Sequence, residues 1–550
     1  MSPQAARRRG LSAHLPPSWF EAGRWLGLAL GLVILNFALT FHNVWPTLWI
    51  TTHYELSVEL AVLLLVLALA AERHRDASPR LIGFLAAVLL LFALGRYAEV
   101  TAPALYGRRV NLYWDGPHLL NVGAMLETAA ARWQIALLAT AAIGFLLLLY
   151  SLLRFSLRQV AAALTEPVPR RVVLGLSAAL VGLYAIGYLP TPLKTLRWFS
   201  IPVTATYWQQ AEFTLAAYRQ AHAGNAPLCA QAPLDADLSR LGGDDVLLLF
   251  MESYGATSYD RAGIAATVAP ARDRYAAAVA ASGRSIVSAF VTSPTFGGAS
   301  WLAHVTLLTG RPIRDNGTYN LLLTQDCEVL TRTFARGGYR VVGVMPGLKR
   351  EWPEGQFYGF DALYGERALD YHGPEFGWWR IPDQYSLAKV DALELAPAER
   401  PPVFLFFPTI SSHMPFRPTP PLAADDAQVL SAEPFAADAV TANLAMTPNW
   451  TDLGPDYAAT LAYTFDYLSA YVRSHADRDY VLVTLGDHQP ASSVSGEGAR
   501  WDVPVHVVTN RPALLDALLA AGFVRGVEPA PEPIGSMEQL TGLLAGTGAP

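Results

Sequence analysis

The segments DDVLLLFMES at residues 244–253 and YVLVTLGDHQ at 480–489 decide how the second half of this chain folds. Each is an apolar run of strand length, and each ends in side chains that can hold a metal: Glu252 in the first, Asp487 and His488 in the second. Working outward, the runs at 245–251, 285–291, 339–345, 403–408, 480–485 and 503–509 read as buried strands, and 299–309, 328–336, 457–475 and 513–521 read as helices. Strands alternating with helices predict an α/β domain with a central mixed, mostly parallel sheet covered on both faces. Ligands of such sheets bind beyond the carboxyl ends of the strands, which is where Glu252, Asp487 and His488 fall. Carboxylates with one imidazole suit Zn²⁺ or Mn²⁺. Alone, a strand-end Glu is usually just solvated and an Asp-His pair usually marks a turn; together they favour a ligand set.

A third stretch, SPTFGGASWLAHVTLLTG at 293–310, strengthens that reading. A strand ends near Val291, a Gly-containing loop follows, and Ser300 stands where a helix begins. Free N–H groups and the positive end of the helix dipole there favour a deprotonated oxygen and a bound phosphate. Without the metal residues Ser300 would be read as an N-cap.

The first half is different. Five apolar stretches, at 25–45, 56–71, 81–97, 133–155 and 172–189, lie near the ~20 residues a helix needs to cross a bilayer, and they predict five transmembrane helices. The second and third are as short as buried helices of soluble proteins, but they are almost continuously apolar rather than striped. Arg7, Arg8, Arg9, Arg73, Arg75, Arg80, Arg154, Arg158, Arg170 and Arg171 flank the ends expected to be cytoplasmic, so five crossings place the chain after Leu189 outside the cytoplasm. No charged residue lies near the middle of a span, so no ion path is expected. The first stretch has no small-residue cleavage site before Thr51 and reads as a retained helix. Residues 190–231, with Lys194, Arg197, Trp198, Tyr207 and Trp208, read either as a connector lying on the bilayer or as an amphipathic helix packed on the soluble domain. The expected division is 1–192 transmembrane, 193–242 connector and 243–550 catalytic.

Composition agrees. Of 550 residues, 52% are hydrophobic and 16% charged, against roughly a quarter charged in soluble domains, which excludes disorder, collagen and coiled coil. Residues 1–200 carry 17 basic and 9 acidic side chains, net +8, and the remainder carries net −14. A basic membrane-facing half joined to an acidic exported half makes nucleic acid an unsuitable partner. Two cysteines, Cys229 and Cys327, are too few for a disulfide scaffold or a cysteine metal site; both fall in the exported half, where a disulfide between them is expected.

The ordered set MES at 251–253, GGASWLAHVTLLTG at 297–310, ISSHMPF at 410–416 and LGDHQ at 485–489, behind five apolar helices, resembles the sulfatase-like branch of the alkaline phosphatase superfamily. Within it, the chain looks most like the membrane-anchored lipoteichoic acid synthases and the phosphoglycerol and phosphoethanolamine transferases. The resemblance implies Ser300 as nucleophile and metal contact, in place of the family's usual threonine, and Glu252, Asp487 and His488 as the remaining ligands of one divalent metal, Mn²⁺ or Zn²⁺. It also implies His413 as a substrate-binding residue close to the leaving group. The loop MPGLKREWPEGQFYGFDALY at 345–364 resembles one that carries an arginine and a tryptophan near the head group, which singles out Arg350 and Trp352, with an ordinary exposed loop as the alternative.

Two positions depart from the family pattern. Met345-Pro346-Gly347 replaces a histidine at a strand end, and Trp501-Asp502 stands where phosphoethanolamine transferases carry the histidine of a second metal. Ser300 is not followed by the x-Pro-x-Arg of formylglycine sulfatases, which disfavours sulfate ester hydrolysis. The implied activity is transfer of a phosphoglycerol or phosphoethanolamine head group from a membrane phospholipid to a glycan or lipid acceptor through a phospho-serine, at the outer face of a bacterial-type inner membrane. A phosphodiesterase with water as acceptor is the alternative, and a non-catalytic partner-binding protein is the alternative of another class.

Overall fold

The computed structural model describes residues 17–44, 47–73, 77–106, 131–189, 195–222, 236–348, 352–377 and 380–546. These residues fall into two compact units, one drawn from 17–44, 48–101 and 131–213 and the other from 47, 102–106 and 214–546, with the main division between Phe213 and Thr214 inside one helix.

The first unit is helical: α1 (Pro17–Thr40), a two-stranded hairpin of β1 (His42–Asn43) and β2 (Ile50–Thr51), α2 (Val58–Glu72), α3 (Pro79–Tyr106), α4 (Arg132–Leu164) and α5 (Pro167–Ile186). Each of the five apolar stretches thus contains a helix, but among the described residues only four helices, over Glu21–Thr40, Pro79–Leu105, Arg132–Leu164 and Pro167–Ile186, are long and apolar enough to cross a membrane. The expectation of five full spans is corrected at α2. Its 15 residues rise only ~22 Å, against a hydrocarbon core of ~30 Å. The apolar stretch itself, 56–71, is hardly longer than that, and the Ser57 side chain, which accepts from the Leu60 amide, fixes the start of α2 at Val58. Leucines and small residues fill the seams of this unit, among them Leu35, Ala68, Ala86, Leu153, Val160 and Ala163. The expected connector contains a 3₁₀ turn (Thr195–Trp198) and α6 (Val203–His222), the helix in which the two units divide.

The second unit is built on a nine-stranded mixed sheet in the order β10-β4-β9-β8-β3-β7-β5-β6, with β11 beside β4. Its strands are β3 (Asp245–Met251), β4 (Ser285–Thr292), β5 (Arg340–Met345), β6 (Ala362–Gly365), β7 (Val403–Pro408), β8 (Tyr480–Gly486), β9 (Asp502–Thr509), β10 (Val524–Arg525) and β11 (Pro533–Ser536). Central β3 pairs in parallel with β7 and β8, whereas β9 runs antiparallel to both β8 and β4. Strands β3, β4, β5, β7 and β8 thus share one direction and end at the same edge.

Both faces of β3 are buried, so it reads as a continuous apolar run. Alternate residues still go to opposite cores. Leu247, Leu249 and Met251 join one core with α7 (Ala262–Ala281) and α12 (Gly454–Ser474). Val246, Leu248 and Phe250 join the other with α8 (Ser300–Thr309), α10 (Leu330–Arg336) and α13 (Pro512–Ala520). The sheet's helices also include α9 (Asn316–Leu323) and α11 (Asp383–Val390). Helix α7 escaped the sequence reading: it is rich in alanine, which gives only a faint apolar stripe, and it contains Pro270.

Candidate active site

The common strand edge gathers the expected residues. Glu252 follows β3, Asp487 and His488 follow β8, and Ser300 is the first residue of α8, which the chain reaches after β4. Ser300 Oγ lies 3.0 Å from Glu252 Oε2 and 3.1 Å from His488 Nε2. His488 Nε2 is 3.5 Å from Glu252 Oε1 and 3.8 Å from Asp487 Oδ2. One ligand atom from each of Glu252, Asp487 and His488 fits within 4.8 Å of the others, and all three residues are buried.

The backbone around the cluster is shaped for it. Ser253 and Ala299 adopt left-handed conformations, with φ of 57° and 61°. Such residues cost free energy, and both flank the cluster. The turn at Ser253 lets its amide donate to Asp487 Oδ1 at 2.7 Å, while its hydroxyl donates to Glu252 Oε1 at 3.0 Å. Gly486 permits this approach, because a Cβ there would meet the Tyr254 carbonyl oxygen at 1.7 Å.

The donor set fits a divalent cation. Asp487 Oδ1 accepts from the Ser253 and His488 amides, whereas Oδ2 is buried with no hydrogen-bond partner. An orphaned carboxylate oxygen is costly unless something cationic meets it. His488 Nδ1 lies 2.7 Å from the Gln489 carbonyl, which assigns the ring proton to Nδ1 and the lone pair to Nε2. Electrostatics agree. Burial, then the Glu252 charge, pushes Asp487 up to about 8. Burial opposes protonation of His488, yet Asp487 and Glu252 outweigh it and raise the ring to about 9. Glu252, though buried, is held well below the usual carboxylate range by His488. With no cation present, protons on Asp487 and His488 balance the cluster's charge, and a divalent cation bound there would displace them.

His413 lies on the loop after β7, which is fastened to Glu252. The Glu252 amide donates to Thr409 Oγ1 at 3.1 Å, and the Ser412 hydroxyl donates to the Glu252 carbonyl at 2.6 Å. His413 Nδ1 lies 2.7 Å from the Met414 carbonyl, which assigns its proton to Nδ1. A small cavity of about 30 Å³ beside it is lined by Ile410, Ser411, His413, Phe416 and Arg417 among others. Trp352 stacks on Tyr358, with ring centroids 5.3 Å apart, against the core under α8. Arg350 lies outside the described residues. Cys327 is buried and disulfide-bonded, and Cys229 lies outside the described residues.

Sequence reasoning missed Ser253, Thr409, Ser412 and Asp383, which hold the site together through backbone amides and carbonyls. Nothing in their spacing signals such contacts. His304 was also missed, although it follows Ser300 by one helical turn. It is buried against Phe250 and Phe406, its Nε2 has no hydrogen-bond partner, and burial pushes its pKa down to about 3.

Residues 244–507 match the family model described as Sulfatase. Solved structures similar to the chain include an alkaline phosphatase superfamily protein from Vibrio parahaemolyticus, at 16% identity over 56% of this chain and 66% of that one, with TM-score 0.35. A second is the integral membrane lipooligosaccharide phosphoethanolamine transferase A of Neisseria meningitidis, at 15% identity over 84% of each chain, with TM-score 0.42. A third is the phosphoglycerol transferase GacH of Streptococcus pyogenes in complex with sn-glycerol-1-phosphate, at 13% identity over 61% of this chain and 85% of that one, with TM-score 0.34. None of the curated proteins matches the chain. The mixed sheet and its strand-edge carboxylates and histidine thus fall within the stretch, residues 244–507, that matches the Sulfatase family model.

Proposed function

We propose that this protein is a membrane-anchored phosphotransferase that moves the phosphoglycerol or phosphoethanolamine head group of a phospholipid to a glycan or lipid hydroxyl through a phospho-serine at Ser300. The observation that carries the reading is the position of Ser300 Oγ, 3.0 and 3.1 Å from two buried metal-ligand candidates at the first residue of a ten-residue helix.

Glu252, Asp487, His488 and the Ser300 oxygen would hold one divalent cation, Mn²⁺ or Zn²⁺. Bound there, it would lower the pKa of the serine hydroxyl and screen the phosphodiester charge. The chain's own residues do the rest. The N-terminus of α8 places N–H groups and a positive dipole end beside the nucleophile, where an anionic phosphate is favoured. Ser300 Oγ donates to Glu252 Oε2, so its proton has an acceptor. As the Oγ–P bond forms, the P–O bond to diacylglycerol breaks, and His413, protonated at Nε2, supplies the proton to that departing oxygen. The acceptor hydroxyl then gives its proton to His413 and displaces the serine oxygen, which takes back the proton held by Glu252, and the enzyme is restored. Arg350 and Trp352 are the candidate head-group contacts.

The arginine distribution and the four long apolar helices support an inner-membrane protein with its N-terminus in the cytoplasm and the α/β domain in the periplasm, with α2 completing five passes as a short helix. Residues 1–192 would form the anchor, 193–242 the connector and 243–550 the catalytic domain.

The test is the mass of Ser300-containing peptides after incubation with phosphatidylglycerol or phosphatidylethanolamine and no acceptor. A head-group phosphate adduct on Ser300, absent from Ser300→Ala, is expected. Rapid multiple-turnover release of the free head group without any adduct would instead make water the acceptor.

A further inference from the structure

His413 stands on the loop after β7, and a buried carboxylate holds that loop. Asp383 is fully buried at the start of α11, and its two oxygens are spent on that loop: Oδ1 accepts from the Ile410 amide at 2.9 Å, and Oδ2 from the Ser411 amide at 2.8 Å. Burying an anion without a paired cation is costly, and two charge-assisted hydrogen bonds offset that cost only where the geometry is fixed. Both donors are backbone groups, so the loop's course is gripped whatever its side chains do. His413 follows two residues later, and its amide donates back to the Ile410 carbonyl at 3.1 Å, closing a turn onto the gripped segment. On the other side, Ser412 ties the same loop to the Glu252 carbonyl. Asp383 is not among the metal-ligand candidates and does not line the cavity beside His413.

We propose that Asp383 is the positioning residue for His413: by capping the Ile410 and Ser411 amides it holds the imidazole where it can protonate the leaving oxygen. This rests on the phosphotransferase reading only for what His413 does, not for the clasp itself. Carboxamide in place of carboxylate breaks the clasp on one side, because an NH₂ group would then face an amide N–H. A displaced acid slows reactions whose leaving group needs a proton and spares those whose leaving group does not, and positional errors of about 1 Å cost up to ~10²-fold.

The experiment uses the full chain in detergent, loaded with Mn²⁺ or Zn²⁺, and compares two probes: phosphatidylglycerol or phosphatidylethanolamine, whose leaving group is an alkoxide, and bis(p-nitrophenyl) phosphate, whose leaving group departs without a proton. For Asp383→Asn we expect a loss of roughly ten-fold or more on the lipid and less than about two-fold on the aryl diester, matching the direction of His413→Ala. Hydrogen exchange by mass spectrometry, which needs no activity, should show faster exchange confined to residues 409–416. Equal losses on both probes, or loss of bound metal, would make Asp383 a structural residue and overturn the proposal; so would unchanged lipid turnover or unchanged exchange. If the wild type cleaves neither probe, the phosphotransferase reading fails, and the exchange measurement still decides the clasp. Should Asp383→Asn fail to fold, Ser412→Ala, which cuts only the tie to Glu252, carries the same comparison: selective slowing on the lipid supports control of His413 by its loop, and equal slowing refutes it.

Discussion

Replacing His304 with leucine should make the α/β domain less sensitive to acid, and the size of the effect follows from where the ring sits. It is enclosed between Phe250 and Phe406, with centroids 4.6 and 5.6 Å away, and its Nε2 has no hydrogen-bond partner. Burial therefore holds the folded-state pKa down to about 3, while the unfolded chain titrates near 6.5. Because the folded value lies below the unfolded one, the unfolded state alone takes up a proton as pH falls below 6.5. Stability then drops by ~1.4 kcal/mol per pH unit, which amounts to about 2 kcal/mol at pH 5 relative to pH 8. Leucine has nothing to titrate and nearly the same volume. At pH 8 the variant should lie within ~1 kcal/mol of wild type, since losing some aromatic contact offsets the relief of an unpaired nitrogen. At pH 5 it should gain about 2 kcal/mol over that difference. His506, also pushed down to about 3 by burial, is present in both proteins and cancels. The assay is urea-dependent pulse proteolysis of the full chain in detergent with chelator, following the α/β fragment at both pH values. A stability difference that does not change between pH 8 and pH 5 would refute the reasoning.

Three further outcomes are expected. Glu252→Gln combined with Asp487→Asn should abolish stoichiometric binding of a divalent metal, as read by elemental analysis of the purified protein, because both carboxylates of the buried cluster lose their charge. Gly486→Ala should destabilise the domain by several kcal/mol, seen as a lower urea midpoint, because its methyl would collide with the Tyr254 carbonyl and push the Asp487 turn off Ser253. Reporter fusions placed after residue 190 should be active only outside the cytoplasm; activity confined to the cytoplasm would mean that α2 does not complete a crossing.

The α/β architecture was legible because buried strands and amphipathic helices have different periods, and the expected edges of β3, β7 and β8 agree with the structure to within a residue. The placement of Glu252, Asp487 and His488 at the sheet's edge was legible too, since a polar residue ending an apolar strand must lie there whatever the neighbouring chain does, and that of Ser300 at a helix start followed from the Gly-containing loop before it. Chain direction alone could not say that these four converge within hydrogen-bond reach. That depends on β3 and β8 being neighbours and on β9 reversing beside them, which pairs strands distant in sequence. The extent of α2 was legible to within two residues, 56–71 expected against 58–72 observed; counting it as a full span overrated it, because apolar composition does not measure the rise of a 15-residue helix against the bilayer. The supporting contacts of Ser253, Thr409, Ser412 and Asp383 involve backbone amides and carbonyls, which every sequence possesses, so only the tertiary path of the loops decides which of them a side chain meets.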